Sequence, residues 1–181
     1  MKSSNITLGG ILTALTVIIL YSASVIPIST LSVLTVSSVI IPVCIIRSNV
    51  KTATMVYLAS SIISLFFVSL NIWLLYVLIF GLYGIVKFYI EKVRNEKKEI
   101  ILKFIYYNFI FVLAISLVKV ILGVDVFLPL ENIISKYINV HVRLLSGCLY
   151  WIVGLIVYYL YDYAMTLLIS FYMERIHNKI K

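Results

Sequence analysis

The stretch Ser3–Ile46, SSNITLGGILTALTVIILYSASVIPISTLSVLTVSSVIIPVCII, runs for 44 positions without a charged residue. A helix rises about 1.5 Å per residue and needs roughly 20 residues to cross about 30 Å of hydrocarbon. The stretch is long enough for two crossings, and Pro27 divides it, because proline lacks the amide hydrogen that a helical turn needs. Thr52–Val86 adds 35 uncharged positions, enough for two short crossings that meet near Ser69, Leu70 and Asn71. Two more apolar stretches lie between Lys103 and Lys119 and between Arg143 and Asp162. The expected spans are 8–27, 29–46, 52–70, 72–91, 101–122 and 147–172. These stretches are solidly apolar, whereas a lipid-exposed barrel alternates apolar and polar residues with period two. The fold class is an all-α integral membrane protein, a bundle of six transmembrane helices in one domain over 1–181.

Composition agrees. Of 181 residues 63% are hydrophobic and 12% charged, with a mean hydropathy of +1.13. A soluble domain is about half apolar and a quarter charged, and a chain of this size cannot hide so much apolar surface in one core. A soluble enzyme, a disordered tail, a disulfide scaffold and a repeat solenoid are excluded. Lys2 ahead of an apolar stretch resembles a signal sequence, but the stretch far exceeds an h-region of about 7–15 residues, so it is expected to stay as span one. Cys44 and Cys148 fall in spans without a CxxC or a partnering histidine and are expected to be small apolar core residues.

Basic residues orient the spans. With the N-terminus inside, Lys2, Arg47, Lys51, Lys87, Lys92, Arg94, Lys97, Lys98, Lys103, Arg175, Lys179 and Lys181 fall at inner ends. Lys119, Lys136 and Arg143 fall at outer ends, so the split is 12 against 3. The positive-inside bias then places both termini in the cytoplasm of a multi-pass cell-membrane protein. The net charge of +8 sits at membrane edges and forms no basic stripe interleaved with aromatics, so nucleic acid is not an expected partner. The run Glu91–Glu99 is expected to be a solvated cytoplasmic loop against lipid headgroups.

Between spans five and six, Pro129 suits a first helical turn. Leu130, Ile133, Ile134, Tyr137, Ile138, Leu144 and Leu145 then recur at helical spacing, opposite Glu131, Asn132, Ser135, Lys136, Asn139 and Arg143. This predicts an amphipathic helix over about 129–145 on the outer side, lying in the interface or folded over the bundle mouth as a lid. His141 stands alone there, without the second ligand that a metal site needs.

Gly10 and Ala14 form a small-xxx-small pair on span one, with Gly9 and Thr13 beside them; Gly81 and Gly84, and Gly147 and Gly154, offer similar close approaches. Span two carries Ser29, Thr30, Ser32, Thr35, Ser37 and Ser38, whose hydroxyls bond back to the helix or across to a neighbour. Counting depth inward from the span ends, Lys87, Asn108 and Asp162 converge in the inner half. A carboxylate inside a span is costly and usually paired. A Lys87–Asp162 ion pair fixing spans four and six is the favoured account; a proton or cation relay, or a polar contact to substrate, is the other. Trp73, Tyr76, Tyr150 and Trp151 start their spans, either as an interfacial aromatic belt or as the wall of a solute site. There is no HExxH, GxSxG or P-loop and no paired acids for a metal, so no catalytic residue, metal or cofactor is expected.

The length, the six spans with both ends inside, the Gly10-xxx-Ala14 first helix and the lid-like segment before span six resemble the substrate-binding S components of energy-coupling-factor vitamin transporters. The strings Phe80-Gly81-Leu82-Tyr83-Gly84-Ile85-Val86-Lys87 with Glu91-Lys92, and Tyr161-Asp162-Tyr163-Ala164, also resemble a group of small clostridial-type membrane proteins. The resemblance implies binding without catalysis, and uptake of a small vitamin-like or aromatic solute energised by partner ATPase subunits. It implies a contact through Gly10 and Ala14 to a T-type transmembrane subunit. The competing expectation is a non-transport membrane scaffold of envelope assembly.

Overall fold

The computed structural model describes residues 3–26, 29–136 and 141–177. Lys2, Pro27, Tyr137, Ile138, Asn139, Lys179 and Lys181, each used above, lie outside the described residues. The elements are α1 (Ser3–Val25), α2 (Thr30–Arg47), α3 (Val50–Phe67), α4 (Leu70–Leu75), a π turn (Tyr76–Phe80), α5 (Gly81–Glu91), α6 (Glu96–Leu122), α7 (Leu128–Ile134) and α8 (Val142–Tyr172), which ends in a second π turn (Met173–His177). Six helical stretches are long and apolar enough to cross a membrane, counting α4, the π turn and α5 as one. Among the described residues there is no strand.

The spans begin and end differently from the expected bounds. The first starts at Ser3, the fifth at Glu96 and the sixth at Val142, about one turn earlier than expected in each case. Apolar run length measures hydrocarbon, whereas helical hydrogen bonds continue through polar residues into water. Glu96 and Glu99 in the first turn of α6 add a favourable interaction with its dipole. The amphipathic helix over 129–145 is corrected more deeply. α7 spans only Leu128–Ile134, with Pro129 in its first turn as expected. The Lys136 amide turns back to the Ile133 carbonyl at 3.4 Å, and the Ser135 hydroxyl takes the Asn132 carbonyl at 3.2 Å, which tightens the chain out of α-helix. Leu144 and Leu145 belong to α8.

The described chain forms two compact units, one running to Glu99 and resuming at Tyr163, the other covering 100–162. In unit one, α1 packs on α2 and α3, and α2 packs on α3 and α5. Ile41, Cys44, Ile45, Ala53 and Val56 form its core, with Leu8, Leu12 and Val50 against them. In lipid the packing of small residues replaces the hydrophobic drive. The hydroxyls of Thr13, Thr16, Ser37 and Ser38 are buried and donate back to carbonyls of their own helices at 2.7–2.9 Å. They therefore behave as small, internally satisfied spacers. The tight α2–α3 corner is fixed by Asn49, whose Oδ1 accepts from the Thr52 amide at 2.8 Å and the Thr52 hydroxyl at 2.9 Å. Such an N-cap contributes about 1 kcal/mol.

The π turn in span four is supported from α3. The Tyr57 hydroxyl donates to the Val77 carbonyl at 2.8 Å inside the widened turn. Gly81 lets the Tyr57 ring in, since a Cβ there would lie 2.9 Å from it. Two residues of α2, Ile41 and Pro42, press on Gly84 in the same way. In unit two, α6 and α8 run antiparallel. Lys103 meets Asp162, and Tyr107 donates to the Trp151 carbonyl at 2.7 Å while touching the Gly154 site. α6 ends at Leu122, where Gly123 at φ +65 supplies the left-handed conformation that stops the helix.

Candidate functional site

Of the four aromatic residues expected at a solute site, two are built into unit one. Tyr76 is wholly buried and its hydroxyl shares a 2.8 Å hydrogen bond with Ser60. The Trp73 indole donates to the Ser61 carbonyl at 2.7 Å. Together with Tyr57 they form a polar clasp between α3 and span four. Tyr150, in unit two, packs edge-on against Phe127 with ring centroids 5.8 Å apart. Trp151 lines a cavity.

Some partners of the inner polar positions lie within the same unit. Lys87 is buried in α5, pairs with Glu91 one turn along at 2.9 Å and donates to the Thr166 hydroxyl at 2.8 Å. In unit two, Asp162 accepts from Lys103 at 2.8 Å, with both side chains almost withdrawn from solvent. Lys103 is absent from the expected cluster because its charge served to mark a span end. Asn108 follows Lys103 by five residues, about 7.5 Å along α6. Its amide donates to the Phe104 carbonyl at 2.8 Å, and its Oδ1 accepts from the Trp151 indole at 3.0 Å. Asn108 is thereby joined to an aromatic of the expected solute site.

That pairing forms part of a cavity of about 700 Å³ in unit two. Asn108 and Phe111 enter from α6, Phe127 from the approach to α7, and Cys148 and Trp151 from α8. Arg143 and His141 stand at the α8 start. His141 holds φ +54, an uncommon conformation for a residue with a side chain, and its carbonyl accepts the Leu145 amide of α8 at 3.1 Å. Asp125 orders the approach, since its Oδ1 accepts the Phe127 amide at 3.1 Å. The wall combines three aromatic rings with an amide, an imidazole and a guanidinium, the mixture of apolar surface and few polar groups typical of small-molecule sites. Cys148 is exposed, which corrects its expected place in the core; Cys44 is buried as expected, and both are free thiols. No cluster of three or more metal-ligating side chains occurs among the described residues.

The Gly10–Ala14 face is open. Gly9 and Thr13 turn inward, whereas a Cβ on Gly10 would meet nothing within 4 Å. Gly10, Ala14, Met55 and Ala59 line an apolar groove of about 790 Å³ between α1 and α3. Fold and cavity together describe a chain of six apolar helices with a solute-sized cavity in one unit and an open apolar groove in the other. Comparison with family models, curated proteins and solved structures gives no match.

Proposed function

We propose that this chain is a multi-pass cell-membrane subunit, with both termini cytoplasmic, that binds a small vitamin-like or aromatic solute from the outer side. The observation that carries this reading is the cavity of unit two, where Trp151 and Asn108 are locked to each other beneath Arg143 and His141. The chain itself performs no catalysis. Uptake is energised by ATPase subunits that act through a T-type transmembrane partner, seated on the groove around Gly10 and Ala14. That groove supports the reading because Gly10 is free of internal packing.

Orientation follows from the 12-to-3 basic asymmetry. In intact cells, single-cysteine variants of a cysteine-free chain should resist an impermeant maleimide at Ser3 and Asn95 and react at Asn132. Reaction at Asn95 overturns the topology. For function, the wild-type chain purified in mild detergent should bring down a T-type subunit and ATPases. The Gly10→Leu, Ala14→Leu double variant should remain folded and lose them. If the wild type recovers neither a partner nor a co-purifying small molecule, the transport reading fails and a membrane scaffold takes its place.

A further inference from the structure

Among the described residues Arg143 is the one lysine, arginine or carboxylate side chain in the cavity wall. Its guanidinium is held on one edge alone: Nη2 reaches Asp125 at 3.4 Å and Nε reaches Glu131 at 3.9 Å. Both distances are long for charge-assisted hydrogen bonds, which close to about 2.7–2.9 Å when fully made. Nη1 has no partner among the described residues, and the side chain is 67% exposed. The two acids orient the guanidinium without saturating it. Between Phe104 and Tyr161 the charged residues are Lys119, Asp125, Glu131, Lys136 and Arg143, three basic against two acidic, so this stretch is net positive by one. Asp125 also has a separate task in holding the Phe127 amide and keeps it whatever Arg143 binds.

We infer that the solute carries an anionic group, a carboxylate or its equivalent, and that Arg143 receives it through the donors its two acids leave open. The inference rests on the solute-binding reading above. The ring of such a solute lies toward Trp151 and Phe111, and its charge stays at the α8 start, where the guanidinium fork makes paired bonds to a planar anion. Asn108 remains committed to Trp151 and Phe104 and contributes shape.

Cys148 provides the readout, because it lines the same cavity and is exposed while Cys44 is buried. Maleimide labelling of the wild-type protein in detergent, at fixed pH, is measured against acid–amide pairs of equal shape: benzoate and benzamide, nicotinate and nicotinamide, indole-3-acetate and indole-3-acetamide. At least one acid should protect Cys148 at a tenfold or more lower concentration than its amide. Arg143→Gln, with protection referred to its own labelling rate without solute, should erase that preference, and Arg143→Lys should keep part of it. Equal protection by acid and amide overturns the anion assignment and leaves the solute cavity standing. Preference retained in Arg143→Gln moves the anion site elsewhere and also overturns it. Protection by none of the six compounds overturns both readings.

Discussion

Truncation of Asp162 to alanine is expected to destabilise the protein by about 3–5 kcal/mol, the usual loss when one member of a buried ion pair is removed. Lys103 and Asp162 meet at 2.8 Å with side chains 12% and 13% exposed, so the lysine left behind keeps a charge with little water to receive it. The same reasoning makes Lys103→Met costly on its own. The double replacement Lys103→Met, Asp162→Leu should then cost less than the sum of the two singles, by at least about 1 kcal/mol. Thermal unfolding in detergent, followed for all four proteins of the cycle, gives the coupling directly. Strictly additive losses would show that the two groups are energetically independent.

The second large effect is steric. A valine at Gly84 would place its Cβ 2.9 Å from Pro42 Cδ and 3.1 Å from Ile41 Cβ. Neither neighbour yields easily, one being a ring fixed to the α2 backbone and the other a branch point directly on Cα. Gly84→Val is expected to cost about 1–3 kcal/mol by overpacking, or to leave the protein unfolded on extraction. Gly10→Val introduces the same side chain on the open face and should shift stability by no more than about 0.5 kcal/mol. Comparable losses at the two positions would mean that Gly10 is packed in the extracted protein. The contrast also gives the partner experiment its footing, because a lost pull-down at Gly10 then reports docking and not folding.

The six apolar helices were legible in the spacing of charges alone, since lipid demands long uncharged runs and little else resembles them. The side-chain partners were less legible, for reasons visible at particular residues. Lys103 was hidden because a lysine that marks the end of an apolar run looks solvated, yet α6 starts at Glu96 and carries it inside. The pairing was recoverable by laying α6 against α8 in antiparallel register. The helix over 129–145 looked continuous because its apolar spacing is in phase with the α8 start; periodicity does not register a short interruption. Tyr76 and Trp151 are both aromatic residues near expected span starts, and only the hydroxyl partner on α3 separates the core residue from the cavity wall. Gly9 and Gly10 are adjacent and chemically identical, so which one packs against α3 and which stays open depends on the helix's rotation.

The π turn at Tyr76–Phe80 has a consequence for how span four is phased. A turn closed five residues apart holds one residue more than an α turn, and each residue of an α-helix advances the side chains by about 100°. Everything after Phe80 is therefore offset by about that angle from the line the upstream half would have continued. Trp73 and Tyr76 address α3, while Gly84 addresses α2. Span four thus behaves as two azimuths spliced at one point. A one-residue insertion or deletion upstream of Tyr76 has a place to be absorbed, whereas the same change between Gly81 and Gly84 turns Gly84 away from Pro42 with no widened turn between them to restore the angle.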